Sequence, residues 1–246
     1  MKVNKYKVLA TLVRSFFDAF SSGIIDNTAA DKSATPADRH TPKAVKQMML
    51  DHYEHIAPVF MDTMFFPLAA MNYEYADIER VVREAQQRGD DMMALVRTAC
   101  ADDAMYEAMV SEYKRNFGNL LSGRFASNAE HLEAYTRGSN EDDTIATERA
   151  VELTVRVVMF AYARGMRQNA KDKVQLRQAT LFRLMLDAMN VLLNDEAVSM
   201  DSADDADLGS LFLKVCHTQQ MFTAMTDEMD RTYDELVRRE GVEQLY

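Results

Sequence analysis

The second half of the chain decides the fold, because residues 139–209 read SNEDDTIATERAVELTVRVVMFAYARGMRQNAKDKVQLRQATLFRLMLDAMNVLLNDEAVSMDSADDADLG. Two apolar segments, at about residues 139–168 and 172–194, are joined there by a short polar turn. Both segments are apolar on more than one face, which is typical of helices at the centre of a bundle. The stretch predicts a central helical hairpin with two helices that are each about 35–40 Å long.

The rest of the chain also predicts helices rather than strands. All four prolines lie in the first 67 residues, and the 179 residues that follow contain none. Since proline is the strongest helix breaker, long helices are permitted throughout that part. The sequence has no extended alternation rich in β-branched residues and no Asn-Gly or Asp-Gly turn. We expect an all-α fold, a single multi-helix bundle of about eight to ten helices with a long C-terminal helix.

The N-terminal part of the chain predicts a helix on a tether. Residues 1–23 form an amphipathic helix that Gly23 ends. Residues 24–41 are small, polar and proline-containing, which is typical of a flexible linker, and residues 42–246 form the bundle domain. Such a helix either docks onto a neighbouring subunit or folds back onto its own core. Its candidate contact residues are Leu9, Leu12, Phe16, Phe17 and Phe20.

The bundle domain is expected to contain several shorter helices before and after the hairpin. Those before it are predicted at residues 42–56, up to about 70, 75–88, 90–100, 102–117 and 128–137. The last helix, at about residues 203–239, carries a stripe at alternating spacings of three and four: Leu208, Leu211, Val215, Thr218, Phe222, Met225, Met229, Thr232 and Leu236. This stripe predicts either a seam inside the bundle or an intermolecular coiled coil.

Composition argues for a cytoplasmic protein without a general affinity for nucleic acid. The net charge of -11 lacks the basic footprint that nucleic acid and anionic membranes require. Two distant cysteines, Cys100 and Cys216, predict free thiols in a reducing compartment. The N-terminus mimics a signal peptide, but Arg14 and Asp18 interrupt its apolar stretch. We expect a protein of the cytoplasm, or of a virion assembled there, without a signal peptide or a membrane span.

Charged residues gather at the two ends of the predicted hairpin. The basic end, at the turn, consists of Arg164, Arg167, Lys171, Lys173 and Arg177. The acidic end includes Asp195, Glu196, Asp201, Asp204, Asp205 and Asp207. Bases at the start of the second helix and acids at its end have the unfavourable sign for a helix dipole. Because the chain holds seven acids and no base between Arg183 and Lys214, we expect another group to meet these ends.

Opposite charges at the ends of one rigid element favour head-to-tail contacts between copies. We therefore predict a non-catalytic, self-associating structural or scaffold component of a larger assembly, such as a virion or capsid. Its contact elements would be the charged ends and the first helix. The alternative is a cytoplasmic adaptor that binds a different protein. Five bases without interleaved aromatic residues support nucleic-acid or anion binding only weakly.

No sequence pattern predicts catalysis, a metal or a cofactor. The chain lacks a glycine-rich phosphate loop, a Gly-x-Ser-x-Gly elbow and a His-Glu-x-x-His pair. His52 and His55 lie three apart on a predicted helix, but zinc needs three or four protein ligands and the other histidines are not suitably spaced. An enzyme with a helical pocket near these histidines is the third hypothesis.

Overall fold

The computed structural model describes residues 1–27, 42–122, 143–168, 174–194 and 208–243. The structure is 85% helical, with ten helices in the described ranges and almost no sheet. The prediction of an all-α helical bundle is therefore confirmed.

The described residues form ten helices and four short strands. The helices are α1 (Lys5–Asn27), α2 (Pro42–Asp51), α3 (Tyr53–Asn72), α4 (Tyr75–Arg88), α5 (Met92–Ala99), α6 (Asp103–Ser122), α7 (Thr147–Arg167), α8 (Gln178–Leu193), α9 (Leu208–Cys216) and α10 (Gln219–Glu240). The strands are β1 (Lys2–Asn4), β2 (Thr144–Ala146), β3 (Val174–Gln175) and β4 (Val242–Glu243). β1 pairs antiparallel with β2, and β3 pairs parallel with β4. Strands of two or three residues are too short to show an alternating sequence pattern.

The backbones of α1 and α7 are in direct contact where the two helices cross. A Cβ atom added to Gly23 would overlap the carbonyl oxygen of Tyr162, and one added to Gly165 would overlap the carbonyl oxygen of Phe20. Glycine permits this close approach because it has no side chain. Helices α3, α8 and α10 also pack against α7, which makes α7 the central helix of the bundle.

The first helix is a core element, and this corrects two predictions. Its five candidate contact residues are at most 1% exposed: Leu9, Leu12, Phe16, Phe17 and Phe20. The predicted contact with a neighbouring subunit through these residues is wrong, because they pack inside their own chain. The helix does not end at Gly23 but continues to Asn27, since Gly23 serves the contact with α7. Residues 28–41 of the predicted linker lie outside the described residues.

By length and composition, α1 would also be able to cross a membrane. The segment Lys5–Asp26 has a mean hydropathy of 1.4, and 89% of its apolar window is buried inside the bundle. A core helix that is apolar on most of its faces has the same composition. The surroundings of α1 in this structure are those of a core helix.

The predicted hairpin is formed by α7 and α8, which are shorter than expected. α7 has 21 residues and α8 has 16, which correspond to about 32 and 24 Å. α8 begins at Gln178 rather than near residue 172, because the chain first forms β3 beside β4. Residues 139–142 and 169–173 lie outside the described residues.

The long C-terminal helix is divided into α9 and α10. His217 has a φ of 61°, and the Thr218 hydroxyl accepts a hydrogen bond from the backbone N–H of Met221 at 3.2 Å, which caps α10. Five residues of the stripe are buried inside the chain, namely Leu211, Val215, Met225, Thr232 and Leu236, and α10 packs against α7. Phe222 and Met229 are partly buried, and Thr218 is exposed. The stripe is therefore a seam of the bundle, as one of the two alternatives predicted.

Prolines do not interrupt α3, although proline is unfavourable inside a helix. The break after α2 lies at His52, and α3 continues through Pro58 and Pro67. Four apolar side chains recur along α3 and are 0% exposed: Ile56, Phe60, Met64 and Leu68. Burial of this face outweighs the hydrogen bonds that the prolines cannot donate. α4 has the predicted bounds, whereas the predicted helix at residues 128–137 lies outside the described residues.

Candidate functional site

Two arginines of the predicted basic end are neutralised by an acid of the same chain. Arg164 donates to Glu240 Oε1 from Nε at 3.3 Å and from Nη2 at 3.2 Å, and it also pairs with Asp62. Arg167 Nη1 lies 3.1 Å from Glu240 Oε2 and donates to the Glu240 carbonyl oxygen at 2.8 Å. Because Glu240 is the last residue of α10, these contacts join the C-terminal ends of α7 and α10.

Arg177 is held at the C-terminus of α1. It donates from Nη2 to the carbonyl oxygen of Asp26 at 2.7 Å, and its Nη1 lies 3.7 Å from Asp26 Oδ1. A positive charge is favourable at a helix C-terminus. The buried Tyr162 hydroxyl donates to Asp26 Oδ2 at 2.6 Å, and burial together with this hydrogen bond raises the pKa of Tyr162. Arg177 thus joins the start of α8 to α1.

The other residues of the predicted charged ends lie outside the described residues. They are Lys171, Lys173, Asp195, Glu196, Asp201, Asp204, Asp205 and Asp207. Their contribution to a contact between copies stays a prediction from charge alone. The three described arginines of the basic end each have a partner within the chain.

A cleft of about 660 Å³ opens between α3, α4, α7 and α10. Apolar side chains in its lining include Phe66, Ile78, Val82 and Phe160. Its charged lining consists of four arginines and three acids: Arg83, Arg156, Arg164, Arg239, Asp62, Glu79 and Glu235. We call the cleft between these four helices the arginine cleft.

Aromatic rings fix two arginines in the wall of the arginine cleft. Arg156, Phe160 and Arg164 recur at intervals of four residues on α7 and therefore share one face. The guanidinium carbon of Arg156 lies 4.4 Å from the ring centroid of Phe66 and 4.8 Å from that of Phe160. The guanidinium carbon of Arg164 lies 5.3 Å from the Phe160 centroid. These distances are typical of cation–π contacts, which stabilise and orient both guanidinium groups.

Carboxylates from α10 hold Arg156 from the other side. Arg156 Nη2 lies 2.7 Å from Glu235 Oε2, and Nη1 lies 3.7 Å from Glu228 Oε1. Glu228 is 8% exposed, and its burial raises its pKa despite the hydrogen bond from Thr232. Burial also acts to raise the pKa of Glu235, but hydrogen bonds from Arg239 and Arg156 outweigh it and lower that pKa. The wall is therefore a paired, preorganised network.

Two arginines of the arginine cleft are less constrained than Arg156. Arg83 is exposed and forms no ion pair with the described residues. Arg239 donates to Glu235 Oε1 at 2.6 Å, but its side chain is 64% exposed. An exposed ion pair contributes only about 0–1 kcal/mol. Both arginines can therefore bind another carboxylate at little cost in free energy.

Thr63 contributes a hydroxyl group to the lining of the arginine cleft. This hydroxyl donates to the Val59 carbonyl oxygen at 2.6 Å and accepts from Arg164 Nη1 at 2.8 Å. In the part of the chain that the structure describes, no three His, Cys, Asp or Glu side chains could hold a metal ion together. His52 precedes α3 and His55 is exposed in its first turn.

Both cysteines are buried free thiols, as predicted. Burial raises the pKa of Cys100 to about 12 and that of Cys216 to about 11. Since the thiolate is the nucleophilic form, neither cysteine is activated at neutral pH.

Sequence patterns predict only Arg164 among the residues of the arginine cleft. The signal that points to the rest is Arg156, a charged residue on a helix that is otherwise apolar on most faces, because such a charge needs a partner. Its partners Phe66 and Glu235 come from distant segments, and no spacing rule connects them with α7.

Compared with known proteins, the chain matches no family model, no curated protein and no solved structure.

Proposed function

We propose that the protein is a non-catalytic, self-associating component of a larger protein assembly and that the arginine cleft is its docking site. The observation that carries this proposal is an open cleft with apolar and arginine lining on a chain of net charge -11. On so acidic a chain, a concentration of arginines is a local exception, and it favours an acidic ligand.

The composition of the arginine cleft is typical of protein interfaces rather than of anion sites alone. Aromatic residues and arginine are enriched in the buried centres of interfaces, and the cleft sets Phe66 and Phe160 beside Arg156 and Arg164. From Arg156 to Arg164 the wall extends over about 12 Å, enough for a few residues of a partner segment. Guanidinium groups that are already oriented lose less entropy when a ligand binds.

The partner segment that fits by charge is residues 195–207 of another copy. This segment contains six acids and no base. A contact between the arginine cleft of one copy and the acidic segment of the next is heterologous, and it closes into a ring or continues as a filament. A virion shell is one assembly that repeats a contact of this type. The proposal keeps the head-to-tail arrangement and places its basic partner in the cleft instead of at the hairpin turn.

Size-exclusion chromatography with light scattering tests the proposal at several protein concentrations, in roughly 50 mM and roughly 500 mM salt. We expect species larger than a monomer at low salt that become smaller at high salt. Arg83→Glu replaces an attraction by a repulsion and should weaken the association about fivefold or more. Lys46→Glu makes the same charge change on the exposed face of α2 and is the matched control.

Two outcomes would contradict the proposal in different ways. Monomers under all conditions would exclude self-association and leave an acidic segment of a different protein as the ligand, which is the adaptor hypothesis. Large species that are insensitive to salt and to Arg83→Glu would exclude the arginine cleft as the contact and indicate an apolar interface.

A further inference from the structure

A second cleft, of about 310 Å³, lies between α1 and α8, with Val45 of α2 also in its lining, and its lining residues are not shared with the arginine cleft. Its polar lining includes Arg14, Ser15, Asp18 and Ser22 on α1, with Arg183 and Asp187 on α8. Volumes of this size are at the lower end of the range of small-molecule pockets. The cleft therefore has room for a small molecule but not for a protein segment.

Two largely buried serines, Ser15 and Ser22, line this cleft. Ser15 is 5% exposed and Ser22 is 7% exposed, and neither hydroxyl forms a hydrogen bond with the described residues. A serine hydroxyl that lines a cleft without a protein partner bonds to water, and a polar group of a ligand is able to take the place of that water. Serine side chains on helices usually form a hydrogen bond with their own backbone, as Ser21 does with the Asp18 carbonyl oxygen at 3.2 Å.

The charges of this cleft are balanced but incompletely paired. Arg14 Nε lies 3.3 Å from Asp18 Oδ2 on α1. On α8, Arg183 and Asp187 lie one turn apart and attract each other electrostatically, but neither forms a hydrogen bond or a close ion pair with the described residues. An anion alone would pair only with Arg183, and a cation alone would pair only with Asp187. A ligand with both charges satisfies both side chains at once.

Apolar side chains complete the cleft and select the remainder of the ligand. Ile25 from α1 and Leu184 and Val191 from α8 line it beside the charged groups. An apolar group of the ligand would be removed from water against them. Charges of both signs next to an apolar wall are the arrangement that an apolar α-amino acid requires.

We propose that the cleft between α1 and α8 is a binding site for a small zwitterion, an α-amino acid with an apolar side chain. Its carboxylate binds Arg183, its ammonium group binds Asp187, and the hydroxyls of Ser15 and Ser22 complete the hydrogen bonds. This site does not depend on the arginine cleft or on self-association.

Isothermal titration calorimetry of the full chain with leucine tests this inference. Two analogues each remove one charge: 4-methylpentanoate lacks the ammonium group, and 3-methylbutylamine lacks the carboxylate. We expect leucine to bind saturably and each analogue to bind at least about tenfold more weakly, because one charged hydrogen bond is lost. Titration to about 10 mM would nearly saturate even a millimolar site.

Variants of the two unpaired residues locate the site. Arg183→Gln and Asp187→Asn should each weaken leucine binding by about tenfold or more, whereas Arg80→Gln and Asp227→Asn, which change exposed charges on α4 and α10, should leave it unchanged. Since Arg183 and Asp187 are exposed, both variants should keep the wild-type thermal unfolding curve. No saturable binding of leucine would overturn the inference, as would equal binding of either analogue or unchanged binding by both α8 variants.

Discussion

The two faces of α7 hold the bundle together through different physical interactions. Toward α1, Gly165 brings two backbones into contact without any side chain between them. Toward α3 and α10, Arg156 and Arg164 place charged groups between the helices, with Phe160 between the two arginines. A backbone contact fits in one register only, whereas an exposed ion pair at the edge of the charged face, such as that of Arg239, can exchange partners. We infer that the first face specifies the fold, and the second contains the surface that we propose as the docking site.

The largest loss of stability is expected from a substitution on the glycine face. Gly165→Ala would put a Cβ atom onto the carbonyl oxygen of Phe20, and two helix backbones cannot move apart as the end of a flexible side chain can. We expect the free energy of unfolding to fall by about 3 kcal/mol or more. Urea denaturation followed by circular dichroism measures the change.

Gly118→Ala is the matched control for this substitution. Gly118 lies inside α6, and no atom lies within 4 Å of a Cβ added there. Because alanine favours helix more than glycine does, this variant should be neutral or more stable by up to about 1 kcal/mol. Equal losses in Gly118→Ala and Gly165→Ala would mean that the close crossing of α1 and α7 does not determine stability.

A smaller loss is expected on the charged face. Arg156→Met keeps an apolar stem beside Phe66 but leaves the buried Glu228 without one of its partners. We expect a loss of about 2 kcal/mol near neutral pH. Arg239→Ala removes a guanidinium whose side chain is 64% exposed, and it should cost less than about 1 kcal/mol.

The loss in Arg156→Met should depend on pH. The pKa of Glu228 lies above its ordinary value of 4.5, so the stability that Glu228 contributes is greatest below that value and falls as pH rises through the folded pKa. Removing Arg156 raises this pKa further, and it also removes a group that lowers the pKa of Glu235. The difference in unfolding free energy from the wild type should therefore be larger near pH 7 than near pH 4. A difference of the same size at both pH values would rule out this electrostatic origin.

The sequence was sufficient to predict the helical class and the central position of α7, because apolar periodicity is a local property. The bounds of α4 were predicted to the residue. The partner of α7 was not predictable, because Gly23 has the same appearance in a sequence whether it ends a helix or contacts another one. The break at His217 also had no glycine or proline to mark it.

The candidate site was predictable only in part for the same reason. The unfavourable position of Arg177 at the start of the second hairpin helix indicated a partner from elsewhere, whereas Arg164, near the end of the first helix, gave no such signal. For Arg164 the partner is Glu240, which lies 76 residues further along the chain, and for Arg177 it is Asp26, at a separation of 151 residues. Contacts over such separations follow from the packing of whole helices, which no local spacing rule encodes.

Mixing two variants tests most directly whether the arginine cleft of one copy binds the acidic segment of another. The double variant Arg83→Glu and Arg239→Glu removes the cleft but keeps the segment, whereas Asp204→Lys and Asp205→Lys does the reverse. At low salt, light scattering should show that each is monomeric alone and that an equimolar mixture forms a dimer, because one intact cleft and one intact segment remain. A mixture that stays monomeric, or either variant that assembles alone, would contradict self-association through the arginine cleft.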